Sequence, residues 1–186
     1  MTIGISALLA AFCAVAQTPW GMPELMQELH AVRGVRATFV ETKYLRALTR
    51  PLELSGTLAY RAPDRLEKHT LAPFDERLVL DGETLTIEDA KQRRSLPLER
   101  NPPVQAFVES IRSTLAGDLE TLQRFYEVRL SGERRRWRLV LVPTDATMQS
   151  VVAEILIGGR EAWVETLEIR AAGGDRSVMT ISPAAQ

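Results

Sequence analysis

The feature that most constrains this chain is a long series of short segments in which apolar and polar side chains alternate. In segment 52–62, for example, Leu54, Leu58 and Tyr60 share one parity, whereas charged or small residues occupy the other. Alternation with a period of two is the pattern of a β-strand that buries one face. About eleven such segments occur at the spacing of roughly 8 to 12 residues that is typical of sheet proteins, so the chain is predicted to be mainly β.

The predicted strands are bounded by glycine, proline and charged turn residues. Asp81-Gly82 predicts a hairpin of type I′, a turn that needs positive φ at both central positions. Gly132 and the glycine pairs at 158–159 and 173–174 are interpreted as further turns. The strands predicted on this basis cover segments 37–44, 52–62, 65–71, 76–80, 84–88, 93–98, 125–131, 136–142, 151–157, 163–171 and 176–182.

Two segments have the periodicity of a helix rather than a strand. The first covers 23–32, and Gly34 is expected to stop it. The second covers 103–116 and is expected to end at Gly117, after which Asp118 caps a further short turn. The apolar residues that give this periodicity are Leu25, Leu29 and Val32 in the first helix and Val104, Phe107, Val108, Ile111 and Leu115 in the second.

The order of these elements is a meander with short turns, and it favours one strongly curved sheet over two facing sheets. The concave apolar face of such a sheet must be covered, and the two amphipathic helices are the available covers. We therefore predict an unclosed, strongly curved antiparallel β half-barrel of about eleven strands beneath lid helices. Space under the lids that side chains do not fill becomes a ligand cavity.

Residues 1–16 differ from the rest of the chain because they are uncharged and largely apolar, and they end in Ala14-Val15-Ala16, an A-x-A cleavage site. The run is shorter than the roughly 20 residues that cross a bilayer. We therefore predict a signal peptide over 1–16 and a single exported domain over 17–186. Cys13 falls within the signal, so thiol chemistry is excluded in the mature chain.

Composition and motifs argue against several classes of function. With 23 basic and 24 acidic residues the formal net charge is −1, so no overall positive field favours nucleic acid. Neither His30 nor His69 belongs to a nucleophile or metal motif, and the glycine motifs that bind phosphates are absent from the sequence. We expect no catalytic residue, no metal and no cofactor, and therefore a protein that binds by shape and burial. The arginine-rich segment 134–138 is interpreted as a solvated strand face, with Trp137 directed into the core.

Several short motifs follow one another in a set order: Ala37-x-Phe39-x-Glu41, Gly56-Thr57-Leu58, Pro63, Pro73 and Asp81-Gly82-x-Thr84-Leu85. In order and spacing they resemble the LolA family of outer-membrane lipoprotein carriers. The resemblance implies a periplasmic carrier whose unclosed β-barrel, covered by helices, shelters acyl chains between the inner and outer membranes. It also implies an inner-membrane exporter as donor and an outer-membrane acceptor. We expect the chain to be a monomer.

The resemblance and the inward parity of the strands together indicate which residues line the cavity. The helices are expected to contribute Leu29, Phe107 and Ile111 as lid residues. The expected wall residues are Phe39, Leu58, Tyr60, Ala62, Leu78, Leu80, Leu85, Ile87, Trp137, Leu139 and Leu167.

The chain departs from the LolA pattern at several positions. LolA proteins commonly carry an arginine directly before the proline, where it hydrogen-bonds the lid closed, and this chain has Ala62 there. Arg61 precedes it by one residue and therefore points to the opposite face of the strand. Ile87 and Lys68 stand where family members tend to place aromatic residues. Lys68 either meets an acidic or polar head group of the cargo or extends to the rim of the barrel.

These departures leave the cargo open between a lipoprotein and another lipid or glycolipid on an export route. A second hypothesis is a periplasmic lipid-sensing adaptor, because related half-barrels regulate envelope stress through a membrane partner. Such regulators usually carry a second domain, so the length of this chain favours the carrier.

Overall fold

A computed structural model of the protein describes residues 20–184, and the predicted signal peptide lies outside this range. The helices are α1 (Met22–His30), α2 (Pro102–Ala116), α3 (Leu119–Phe125) and α4 (Ala146–Gln149), and a short 3-10 turn covers Leu98–Arg100. The strands are β1 (Gly34–Tyr44), β2 (Leu52–Arg61), β3 (Arg65–Ala72), β4 (Glu76–Asp81), β5 (Thr84–Asp89), β6 (Arg93–Pro97), β7 (Tyr126–Glu133), β8 (Arg136–Pro143), β9 (Val152–Arg160), β10 (Trp163–Ala171) and β11 (Arg176–Pro183).

The eleven strands form one antiparallel sheet in the order β6-β5-β4-β3-β2-β1-β11-β10-β9-β8-β7. The chain runs outwards from β1 to β6, crosses through α2 and α3, and returns from β7 to β11, which pairs with β1. The edge strands β6 and β7 do not pair with each other, so the sheet stays open. The predicted unclosed antiparallel sheet of about eleven strands is confirmed.

Side chains on alternate positions of β1 show which face of the sheet is covered. Ala37, Phe39 and Glu41 are buried, whereas Thr38 and Val40 between them are exposed. The largest cluster of buried apolar residues packs α1, α3 and α4 against β8 and β9, and it includes Leu25, Leu122, Met148, Leu139, Leu141 and Ile155. The β2–β5 side of the sheet carries smaller clusters, so the interior is filled unevenly.

The first helix begins and ends where local backbone groups find partners. The Gly21 amide donates to the Glu24 carboxylate at 2.8 Å, and Pro23 lies in the first turn, where its missing N–H costs nothing. The helix ends at His30, and Gly34 is already the first residue of β1. The expectation that Gly34 stops the helix is therefore wrong, because the chain leaves the helix before reaching it.

The second helix ends as predicted at Gly117, which adopts a φ of +65°. A Cβ at this position would lie 2.1 Å from the Met26 carbonyl oxygen, so glycine also permits the close approach of α2 to α1. Asp118 caps α3 by accepting a hydrogen bond from the Thr121 amide at 3.0 Å, as predicted. That helix runs on to Phe125, so the strand predicted from 125 starts one residue later.

The hairpin between β4 and β5 is present, but its turn is not of the predicted type. Asp81 pairs with Thr84 in the ladder, which leaves Gly82 and Glu83 as the central residues. Gly82 has a φ of +55°, whereas Glu83 is not among the described residues with positive φ. The prediction of a type I′ turn centred on Asp81-Gly82 is therefore wrong. The central residues are Gly82 and Glu83, and positive φ is adopted only at the first of them, where glycine allows it.

The glycine pair at 158–159 lies inside β9 rather than in a turn, so that prediction is also wrong. A Cβ on Gly159 would lie 2.4 Å from the Trp137 ring and 2.3 Å from the Trp163 carbonyl oxygen. Glycine is thus needed here so that the indole of Trp137 can approach the β9 backbone closely. The pair at 173–174 does form the β10–β11 turn.

We predict that Gly159→Ala lowers the free energy of unfolding by about 1–3 kcal/mol, because the new methyl group must displace the Trp137 ring or the backbone of β10. Urea unfolding followed by circular dichroism measures the loss. Gly173→Ala is the matched control, since nothing lies within 4 Å of its added Cβ. Equal stability of the two variants would show that the Trp137–Gly159 contact does not constrain the sheet.

Candidate ligand cavity

A cavity of about 210 Å³ lies between the concave face of the sheet and the helices α1 and α2. Residues of β3–β5 and of β9–β10 line the same space although β2, β1 and β11 separate them in the sheet, which shows how strongly the sheet curves. Leu29 of α1 and Val32, which follows that helix, line the cavity. The remaining apolar wall residues are Val35, Ala37, Leu58, Ala59, Tyr60, Leu66, Leu78, Leu80, Leu85, Phe107, Val108, Ile111, Leu115, Ile157, Ala162, Trp163, Val164, Leu167, Met179 and Ile181.

The cavity wall contains few polar side chains. Glu67 is engaged on the outer side by Arg77, whose guanidinium lies 2.6 Å from its carboxylate. Thr114 donates to the Ser110 carbonyl within α2 at 2.6 Å. Because Glu67 is paired with Arg77, Lys68 is the charged wall residue whose contacts bear most on the kind of ligand that the cavity binds.

Helix α2 presents its apolar residues to the cavity and its polar residues to the rest of the protein. Phe107, Ile111 and Leu115 line the cavity and remain only half-buried. Glu109 and Ser113 are buried on the other side, where the Ser113 hydroxyl donates to the Glu109 carboxylate at 3.0 Å. The apolar face of α2 thus has empty space where a core helix would have packed side chains.

Hydrogen bonds and an ion pair attach α2 to the β4–β5 hairpin. Arg112 donates to the Gly82 carbonyl at 2.8 Å and to the Glu83 carboxylate at 2.9 Å, and it also pairs with Glu109 of its own helix. Ala62, which stands where LolA proteins commonly carry the arginine that bonds the lid, lies in the β2–β3 turn, where its amide donates to the Arg33 carbonyl at 3.0 Å. In this chain the lid helix is therefore held by its own arginine.

The lid helices also contact each other and the start of β7. His30 Nδ1 lies 2.9 Å from the Ala116 carbonyl oxygen, which joins the C-terminal ends of α1 and α2. The Tyr126 hydroxyl donates to the Ala106 carbonyl at 2.9 Å. Burial raises the pKa of Tyr126 to about 12 although Ser110 acts in the opposite sense, so the hydroxyl remains a donor at neutral pH.

The structure brings most of the predicted site residues together around the cavity. Lys68 and the three predicted lid residues are among them. The predicted residues that line the cavity are Leu29, Leu58, Tyr60, Lys68, Leu78, Leu80, Leu85, Phe107, Ile111 and Leu167.

Five predicted wall residues lie elsewhere. Trp137 and Leu139 belong to the buried cluster under α1, because the glycines of β9 let the indole fill that side. Phe39 packs with other apolar side chains at the centre of the sheet. Ala62 lies in a turn, and Ile87 lies on β5 outside the set that lines the cavity.

Sequence reasoning missed wall residues on both halves of the sheet. Leu66 pairs with Tyr60 and Leu80, and Ile181 pairs with Phe39, so strand parity alone assigns both to the inward face. Trp163 lies at the start of β10, where a bulge interrupts the ladder between Val164 and Thr166. Simple alternation does not extend across such a bulge, so no sequence pattern marks Trp163.

Lys68 lies on the inward face and turns towards a buried carboxylate rather than into solvent. Its ammonium group pairs with Glu41, which is only 3% exposed, and it lies 4.9 Å from the centre of the Phe39 ring. The other Glu41 oxygen accepts from the Ser177 hydroxyl at 2.6 Å and lies 3.6 Å from the Lys43 ammonium. The inner face of the sheet therefore carries a polar cluster made of Glu41, Lys68, Lys43 and Ser177, in which the Lys43 side chain is 35% exposed to solvent.

The charge state of Glu41 follows from its neighbours. Burial on its own would raise the pKa of the Glu41 carboxyl, but the ammonium of Lys68, the hydroxyl of Ser177 and the ammonium of Lys43 together hold that pKa below its ordinary value of 4.5. Glu41 is thus ionised at neutral pH inside the barrel.

The two histidines lie apart from the cavity wall. His69 Nε2 is 3.0 Å from the Asp75 carboxylate, beside the β3–β4 turn, and His30 contacts the end of α2. Within residues 20–184 no group of His, Cys, Asp and Glu side chains is arranged to hold a metal ion. Across the same range, no helix has the length and apolar character needed to span a bilayer.

Comparison with known proteins identifies relatives of this fold. Residues 14–186 match the family model described as outer membrane lipoprotein carrier protein LolA-like. Similar solved structures include a LolA superfamily protein from Nitrosomonas europaea, at 9% identity over 87% of this chain and 93% of that chain, with a TM-score of 0.41. The MucA/MucB complex of Pseudomonas aeruginosa matches at 14% identity and a TM-score of 0.44 over 89% of this chain, which spans 58% of that chain. No curated protein sequence matches this one.

We predict that Glu41→Gln lowers the free energy of unfolding at neutral pH by about 3 kcal/mol, because it leaves Lys68 buried without its carboxylate. Since the pKa of Glu41 is depressed in the folded state, its contribution is present above 4.5 and is lost as the pH falls through the folded pKa. The deficit of the variant should therefore shrink in acid. Urea unfolding at several pH values measures it.

The matched control is Glu53→Gln, which removes an exposed carboxylate from the neighbouring strand β2 and should change stability little at any pH. A deficit of Glu41→Gln that stays constant from neutral to acid pH would contradict an ionised, paired Glu41.

Proposed function

This chain belongs to the LolA-like family of outer membrane lipoprotein carrier proteins, and from that membership and its apolar cavity we propose that it carries the acyl chains of a lipid or lipoprotein through the periplasm. The observation that supports this most directly is the space beneath α2. Half-buried Ile111 and Leu115 face that space and belong to none of the packed clusters. An acyl chain supplies the apolar contacts that these side chains lack.

The energetics of acyl transfer require such a space. Removing a 16-carbon chain from water gains on the order of 12 kcal/mol at about 0.8 kcal/mol per CH₂, so passage through water without a carrier is negligible. A protein that covers the chain during transit removes that barrier. The wall residues, which are nearly all apolar, make burial the source of affinity.

The cavity must enlarge to accept a long chain. Its volume of about 210 Å³ lies below the roughly 300–1,000 Å³ of most ligand pockets. The helix α2 is attached on its polar side by hydrogen bonds such as those of Arg112, which exchange with water at modest net cost. Outward movement of α2 enlarges the space, although it also separates Val108 from the small cluster with Leu80 and Leu98, and we assign α2 the role of the lid.

We further propose that residues 1–16 direct export and are removed near Ala16, so that the domain 17–186 works in the periplasm. An inner-membrane exporter delivers the cargo and an outer-membrane acceptor receives it. The protein works as a monomer by binding rather than by catalysis, and it needs no cofactor.

We predict that Leu58→Glu abolishes uptake of an acyl probe, because a carboxylate on the cavity wall makes the space unfavourable for hydrocarbon. Titration with a fatty acid whose fluorescent tail brightens in apolar surroundings measures binding, and circular dichroism checks the sheet. Leu80→Glu, two strands away on β4, should act in the same way.

The matched control is Thr57→Glu, which places the same charge on the adjacent residue of β2 but on the exposed face. It should bind the probe as the wild type does. A well-folded Leu58→Glu variant that takes up the probe normally would contradict the proposed cavity.

A further inference from the structure

Resting on the proposed function, we infer that Lys68 binds an anionic head group of the cargo inside the cavity, so that the cargo is an acyl lipid bearing a carboxylate or a phosphate. Among the polar groups of the wall, Lys68 is the one whose position, charge and unused donors together fit a ligand.

The position of Lys68 puts its charge within reach of a ligand. It pairs with Leu58 on β2 and with Leu78 on β4, and all three line the cavity. Trp163 and Leu167 line the opposite side, several strands away in the sheet. A ligand with its head group at Lys68 can therefore extend its chain across the apolar space towards β10.

The charges of the cluster do not balance within the described part of the chain. The ammonium groups of Lys68 and Lys43 both face the single carboxylate of Glu41. No other carboxylate in residues 20–184 lies within 4.0 Å of the Lys68 ammonium. The cluster thus has an excess of one positive charge, and a ligand anion at Lys68 neutralises it.

Lys68 also retains donors that the protein does not use. An ammonium group has three N–H donors, and Glu41 is the hydrogen-bond acceptor that Lys68 reaches among the described residues. A carboxylate or phosphate in the cavity accepts from the Lys68 donors that Glu41 leaves free.

Fold stability alone gives no reason for this cluster. Replacing a buried ion pair by apolar residues of similar volume is often neutral or stabilising, so an apolar barrel interior does not need Glu41 and Lys68. An ester or amide carbonyl accepts a hydrogen bond from Lys68 but carries no net charge, whereas a carboxylate or phosphate adds the Coulomb attraction of an ion pair away from bulk water. The cluster therefore favours an acidic lipid over a neutral acyl ester.

The experiment is calorimetric titration of the wild type at neutral pH with laurate, dodecyl phosphate and dodecanol, which share one chain length. We expect laurate or dodecyl phosphate to bind at least about tenfold more tightly than dodecanol. The better of the two anions identifies the head group. Lys68→Met should remove this preference and leave dodecanol affinity within about twofold of the wild type.

The matched control is Lys43→Met, which removes the other ammonium group beside Glu41 but does not alter the cavity wall, and which should keep the preference for the anion. If Lys68→Met alone does not fold, the double variant Glu41→Gln with Lys68→Met removes both charges and should also lack the preference.

The outcomes separate this inference from the proposed function. Equal affinity of the folded wild type for dodecanol and both anions overturns the role of Lys68 while the cavity remains. An anion preference that survives in Lys68→Met, or in the double variant, overturns it as well. Failure of all three probes to bind the folded wild type overturns the proposed function itself.

Discussion

An open, curved sheet must cover its concave apolar face, and the way this chain does so determines the rest of the structure. The β7–β10 half is filled by side chains from the sheet and from α1, α3 and α4, and residues such as Leu139 and Ile155 are fully buried there. Above the β2–β5 half, α2 covers the sheet, and its Val108 packs with Leu80 and Leu98 beside the vacant space. The helix is also held by the hydrogen bonds of Arg112 and by its close approach to α1 at Gly117. The cavity is therefore the part of the concave face that these packed clusters leave unfilled.

Much of this arrangement can be predicted from the sequence, because it depends on local patterns. Strand alternation predicted the number of strands and their positions along the chain, and Gly117 and Asp118 correctly marked the end of α2 and the start of α3. Strand parity assigned Leu58 and Leu80 to the cavity, and helical periodicity assigned Ile111 to it. A local pattern does not show which inward-facing residues line the cavity and which are packed beneath other side chains.

The missed features all depend on contacts between distant segments. Trp137 shares the parity of a wall residue, yet the missing side chain of Gly159 lets the indole pack into the core. The sequence pattern of 158–159 is that of a turn, although the pair lies within β9. The pairing of Lys68 with Glu41 joins β3 to β1 across β2, and no spacing along the chain indicates it. Such contacts form only once the strands have paired in the sheet.

If the protein carries acyl lipids, the interior beneath α2 holds an acyl guest in the cell. Native mass spectrometry of the protein isolated from its producing cell, followed by extraction and mass analysis of any bound lipid, measures this. We expect a species heavier than the bare chain by the mass of an acyl lipid, which organic extraction removes. A folded protein that shows only the mass of the bare chain, with no lipid in the extract, would contradict it.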